Sequence, residues 1–60
     1  MRDKSRIYPF LNELGEQWSK VPDWRFGQLL VNILGTCEKN PFFYEDDEML
    51  ELIQKYFNKE

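Results

Sequence analysis

The chain has 60 residues, a formal net charge of −3, one cysteine, no histidine and ten aromatic residues (five Phe, three Tyr, two Trp). One cysteine cannot form an intramolecular disulfide, and without histidine or a second thiol the usual zinc sites are excluded. A chain this short buries only about 60% of the surface of its unfolded form. We therefore expect one small domain over residues 1–60 whose stability depends on packing, with no metal and no cofactor.

Charge and hydropathy also limit where the protein works. No apolar run approaches the eighteen or so residues that span a bilayer, and the N-terminus lacks the apolar segment of a secretion signal. The negative net charge disfavours direct binding to nucleic acid, which begins with neutralisation of phosphates by Lys and Arg. We expect a cytoplasmic protein that contacts neither membrane nor nucleic acid directly.

Hydrophobic periodicity predicts the first helix. Residues 1–5 are polar and are predicted to fray, with Ser5 as a cap for the helix that follows. Residues 7–20 form that helix, with Asn12, Glu13, Glu16 and Gln17 turned away from the core. Its apolar face consists of Ile7, Phe10, Leu11, Leu14 and Trp18.

The second helix is predicted over residues 24–36, with Asp23 as its N-cap after Pro22. It is the most apolar stretch of the chain, so we expect it to be central, to pack against both other helices and to bury Leu30. Cys37 continues its apolar side and is predicted to be a small buried hydrophobe. Residues 42–44 are predicted to be a short extended aromatic segment that covers the core like a lid.

A third helix over residues 47–58 completes a compact all-α, three-helix domain. The acidic run before and within it has two interpretations. Asp46 or Asp47 caps the helix, while acids in the first turn favour the helix dipole. Alternatively, the run is a patch that binds a basic partner. Contiguous carboxylates do not fit a calcium loop, whose oxygens alternate around a glycine. The run consists of Glu45, Asp46, Asp47 and Glu48.

A polar line crosses the apolar second helix, because Arg25, Gln28 and Asn32 share one face at helical spacing. One interpretation is structural: Arg25 pairs with the acidic run, and the two amides bond to the backbone of residues 40–44. The other interpretation is a recognition surface for a partner. No histidine is present to activate a hydroxyl or thiol, and so small a chain seldom encloses a substrate pocket, so we expect no enzyme.

Part of the pattern resembles a set of short proteins from bacteria and their phages or prophages. The resemblance covers residues 6–52 and implies no activity, only a small mobile-element protein that acts by binding something larger. It rests on Trp18, on Pro22-Asp23-x-Arg25-x-Gly27-Gln28-Leu29-Leu30-x-Asn32 and on Pro41-Phe42-Phe43-Tyr44-Glu45-Asp46-Asp47-Glu48.

Two functional hypotheses follow from the sequence. The first is a non-catalytic interaction or regulatory protein that binds a host protein or a second copy of itself. Its candidate contacts are the polar line of Arg25, Gln28 and Asn32, the acidic run and exposed aromatic residues. The alternative is an acidic inhibitor that occupies the nucleic-acid-binding site of a host or defence enzyme, with the acidic run in place of phosphates.

Overall fold

The fold consists of three α-helices: α1 (Ile7–Trp18), α2 (Phe26–Leu34) and α3 (Asp46–Asn58). This computed structural model describes residues 2–58, so Met1, Lys59 and Glu60 lie outside the described residues. Two short 3₁₀ helices, Lys4–Arg6 and Pro41–Phe43, precede α1 and α3. The prediction of an all-α domain of three helices is confirmed. Among residues 2–58, no helix is long and apolar enough to cross a membrane.

Helices α1 and α3 lie side by side and run parallel. Three polar contacts between them follow each other along the pair, and each joins residues about 40 positions apart. They are the Arg6–Asp46 ion pair, a hydrogen bond from Gln54 to Glu13 (3.2 Å) and one from Lys20 to Asn58 (2.7 Å). The pair α1 and α3 is the most closely packed in the domain. The expectation that α2 packs against both neighbours agrees with the core, in which residues of α1 and α3 surround Leu29 and Ile33 of α2, although α1 and α3 pack more closely with each other.

The centre of the core is made by Leu29 and Ile33 of α2 and Ile53 of α3, all of them buried. Half-buried apolar side chains of all three helices surround this group, and Trp24 of the α1–α2 connection joins them. The surrounding residues are Phe10, Leu14, Trp18, Trp24, Met49, Leu52, Tyr56 and Phe57. The prediction that Leu30 is a core residue is wrong, because one helical step turns it about 100° from Leu29 and leaves it 39% exposed.

The connection between α1 and α2 is longer than predicted, because Trp24 packs in the connection and not in a helix. The indole N–H of Trp18 donates to the Trp24 carbonyl at 3.0 Å, and the Trp24 ring lies about 6 Å from Tyr56 (6.3 Å) and Phe57 (6.0 Å). Helix α1 consequently ends at Trp18, two residues early, and α2 covers Phe26–Leu34 instead of residues 24–36.

The N-cap of α2 is Arg25 and not Asp23. The Arg25 backbone is extended (φ −73°, ψ 157°), and its N–H donates to the side-chain oxygen of Gln28 at 2.7 Å. A glutamine at the third helical position that binds back to the cap residue is one half of a capping box. Gln28 therefore stabilises the start of α2, a role that the sequence did not indicate.

Two further predictions for the connecting segments are wrong. Residues 4–5 are not frayed but belong to a 3₁₀ helix in which Asp3, not Ser5, is the cap: its carboxylate accepts the Ser5 N–H at 2.9 Å. Of residues 42–44, which were predicted to be extended, only Tyr44 is extended (φ −78°, ψ 133°). Pro41–Phe43 forms a 3₁₀ turn, because Pro41 has a fixed φ suited to a helical start and the Asn40 side chain accepts the Phe42 N–H at 2.9 Å.

Candidate functional site

The acidic run forms the start of α3. The helix begins at Asp46, so Asp46 and Asp47 lie within it and the prediction that one of them is the N-cap is wrong. Glu48 instead accepts the backbone N–H of Glu45 at 2.8 Å. That bond, together with the nearby Lys39 ammonium, holds the pKa of Glu48 below its ordinary value. Asp47 accepts the Glu48 N–H at 2.8 Å. The dipole interpretation of these acids agrees with this geometry.

Cations from other parts of the chain face three of the four carboxylates in the run. Arg2 pairs with Glu45, Arg6 pairs with Asp46, and the Lys39 ammonium lies 3.7 Å from Glu48. Each pair is largely exposed, and such pairs contribute about 0–1 kcal/mol to stability. The three cations also neutralise most of the negative charge of the run. The run therefore offers a basic partner less charge than the sequence indicates.

The polar line on α2 faces solvent. Arg25, Gln28 and Asn32 are all exposed, so they are not the buried groups that the structural interpretation required. The partners expected for Arg25 were Glu45, Asp46 or Asp47. Of these, Glu45 pairs with Arg2 and Asp46 with Arg6. Gln28 caps α2 instead of fixing residues 40–44. The structure brings the three side chains onto one exposed flank of α2, and their role in binding a partner stays a prediction.

A polar cluster between α1 and α3 was not found from the sequence. Gln17 was predicted to face away from the core, yet it is only 6% exposed. Its amide N–H donates to Glu13 at 2.7 Å, and Gln54 donates to the same carboxylate oxygen at 3.2 Å. The Gln17 side-chain carbonyl is buried without a hydrogen-bond partner among the described residues. The i, i+4 spacing of Glu13 and Gln17 was the available signal, but it did not reveal the contact with α3.

The Glu13 cluster predicts acid sensitivity. Hydrogen bonds from Gln17, and then from Gln54, hold the pKa of Glu13 below its ordinary value of 4.5. A carboxylate with a lowered folded-state pKa stabilises the fold above 4.5, and this contribution is lost as the pH falls through the folded-state pKa. Urea unfolding of wild type and Glu13→Gln should be measured between neutral pH and pH about 3. The free energy of unfolding should fall less steeply with decreasing pH in the variant than in wild type. Identical slopes would contradict this role of Glu13.

Exposed apolar side chains are the most prominent surface feature of the domain. The predicted lid is wrong: Phe42 is 84% and Phe43 65% exposed, and the two rings stack edge to face with centroids 5.1 Å apart. Residues of α1 and α2 add to this exposed apolar area. The exposed large apolar residues are Ile7, Tyr8, Leu11, Phe26, Leu30, Val31, Phe42 and Phe43.

The described chain offers few groups for chemistry. Within residues 2–58, no three His, Cys, Asp or Glu side chains are placed to hold a metal ion. Cys37 is only half-buried, just beyond the end of α2, and its N–H donates to the Leu34 carbonyl at 3.1 Å. Comparisons with known proteins give no match to a family model, a curated protein or a solved structure.

Proposed function

We propose that this chain is a small non-catalytic protein of the cytoplasm that acts by binding another protein through its apolar surface. The observation that supports this proposal is the imbalance between buried and exposed apolar residues. Among residues 2–58, three apolar side chains are buried, whereas eight large ones are exposed. Single exposed apolar residues are ordinary, but contiguous apolar surface is typical of interaction sites.

The total surface supports the same proposal. The accessible surface is 4992 Å², whereas monomeric proteins of this mass average about 4200 Å². Phe42 and Phe43, two adjacent rings in contact with each other, are among its most exposed apolar side chains. Aromatic side chains of this kind are frequent anchors at protein interfaces, because they bring a large contact area with few rotatable bonds.

The polar candidates have a secondary place in this proposal. Arg25 and Asn32 lie on the exposed flank of α2, where they would form part of the polar rim of an interface. The alternative, an acidic inhibitor in a nucleic-acid site, requires available negative charge. Arg2, Arg6 and Lys39 reduce that charge at the acidic run. The resemblance to phage and prophage proteins supports a mobile-element origin under either proposal.

Affinity capture from a bacterial lysate tests the proposed function. Wild type is compared with a Phe42→Ser, Phe43→Ser variant, and an Arg25→Ala, Asn32→Ala variant is the matched control for the polar rim. The serine variant should lose the captured protein and keep its helical circular dichroism spectrum, because both rings lie outside the core. The Arg25→Ala, Asn32→Ala variant should lose a smaller fraction of the captured protein than the serine variant.

Salt distinguishes the two functional hypotheses. At about 1 M salt the Debye length is about 3 Å, so binding through the acidic run should disappear while apolar binding persists. Loss of the partner in salt, and retention by the serine variant, would contradict the proposal and favour the acidic inhibitor. Failure of every variant and wild type to capture a protein would contradict both.

A further inference from the structure

We propose that a second copy of this chain docks on the exposed apolar face of α1 and α2 to form a symmetric dimer. This inference goes beyond the proposed function, because it concerns exposed apolar residues other than Phe42 and Phe43. We call the surface the α1–α2 face. It consists of Ile7, Tyr8 and Leu11 of α1 and of Phe26, Leu30 and Val31 of α2.

The α1–α2 face extends along both helices. Ile7, Leu11 and Trp18 lie at i, i+4 and i+11, which places them on one side of α1. The Trp18 ring then meets Phe26 at 5.6 Å, at the point where the chain passes from one helix to the next. Leu30 and Val31 follow Phe26 by one turn of α2. The two helices therefore contribute apolar residues to the same face, and their contact at Trp18 and Phe26 joins the two parts.

The area of the α1–α2 face is sufficient for a dimer. Its six residues are between 39% and 75% exposed. With about 200 Å² for one fully exposed large side chain, they present on the order of 600 Å². A standard interface buries about 800 Å² on each partner, of which somewhat more than half is apolar. The face thus supplies the apolar part of one standard interface.

The charge pattern permits a second copy as the partner, with Asp3 and Lys4 beside Ile7 and Tyr8 at the edge of the face. In a two-fold dimer each patch meets itself, so any charge near the axis meets an identical charge. The chain has 19 charged residues among 60 and a net charge of −3. Nevertheless, the helical positions between the six residues of the face are uncharged; they are held by Gly15, Trp18, Gly27 and Leu34. A surface that avoids charge in this way is compatible with self-pairing.

Two glycines give independent support. Gly15 and Gly27 lie on the α1–α2 face, one on each helix, and a Cβ atom added to either would meet no other atom within 4 Å. Packing within the chain therefore does not require a glycine at these positions. Glycine on a helix surface permits close approach by the backbone of a neighbouring helix. A second copy on this face would provide that neighbour.

Sedimentation equilibrium over a range of protein concentrations tests the dimer. Wild type should approach twice the 7.4 kDa mass of one chain. Leu11→Glu places like charges close together across the two-fold axis and should weaken the dimer about a hundredfold. Phe42→Ser is the control, because it removes an apolar side chain that is even more exposed than Leu11 but lies outside the face, and it should dimerise like wild type.

Gly15→Ala provides a second variant that does not endanger the fold. If the face is free, alanine should only raise the folding equilibrium constant about fivefold. If a second copy covers it, the same change should also weaken the dimer. In wild type mixed from isotope-labelled and unlabelled chains, intermolecular NOEs should involve the methyl groups of Leu11 and Leu30.

A monomer at every concentration, or equal dimerisation of wild type, Leu11→Glu and Gly15→Ala, would overturn the inference. These outcomes are distinct from failure of the proposed function. A monomer that captures another protein through Phe42 and Phe43 keeps the proposed function without the dimer. A dimer that captures nothing keeps the inference and contradicts the proposed function.

Discussion

Leu29→Ala should remove a large part of the free energy of unfolding of the protein. Leu29 is fully buried, and truncation of such a leucine costs about 3 kcal/mol or more, because a cavity is added to the lost burial. A domain of 60 residues has a total stability of about 3–9 kcal/mol. Urea unfolding followed by far-ultraviolet circular dichroism, at one fixed protein concentration, measures the difference.

Leu30→Ala is the matched control for that experiment, because it removes the same atoms from the next residue of α2. Leu30 is 39% exposed, so its truncation should cost clearly less than that of Leu29. Leu30→Asp should likewise leave the chain folded, in contrast to the expectation from the sequence. Equal destabilisation at both positions would show that α2 turns a different side to the core.

Trp24→Ala should have the second largest effect, a loss of about 3 kcal/mol in the free energy of unfolding. The Trp24 ring packs against Tyr56 and Phe57 and is the main link between the α1–α2 connection and the end of α3. Thermal unfolding of the variant should begin well below that of wild type. Phe42→Ala, which also removes an aromatic ring, should cost less than about 1 kcal/mol because that ring is exposed.

If Trp24→Ala unfolds like wild type, the connection is not held by this ring. The indole of Trp18 would then be the more important group, since its N–H donates to the Trp24 carbonyl, which the substitution leaves in place.

Hydrophobic periodicity was sufficient to predict three helices and to place α1 and α3 to within one or two residues. It failed at the ends of α2, because Trp24 is used for tertiary packing, and local capping preferences do not contain that information. Periodicity also failed to predict which of Leu29 and Leu30 is buried, since both belong to the same apolar stripe. Which of them is buried depends on where α3 lies, and that is a property of the whole fold.

The candidate site was less predictable than the fold. The acidic run was recognised, but the cations that pair with it were not. Arg2 and Arg6 are about 40 residues away from it in the sequence, and Lys39 belongs to no recognised motif. The aromatic segment was recognised as well, although its exposure was not: Phe42 and Phe43 satisfy every sequence criterion for core residues. Gln17 shows the opposite error, since a polar residue at the margin of an apolar stripe can be buried by a neighbouring helix.

The parallel arrangement of α1 and α3 has a consequence for the order of events during folding. The contacts that hold these helices join residues about 40 positions apart, from Arg6 with Asp46 to Lys20 with Asn58. Ile53, one of the three buried apolar residues among positions 2–58, is also contributed by α3. An emerging chain therefore lacks its core until α3 has left the ribosome. Closure of this long loop must precede the gain from packing, so we expect folding to be a single late and cooperative step.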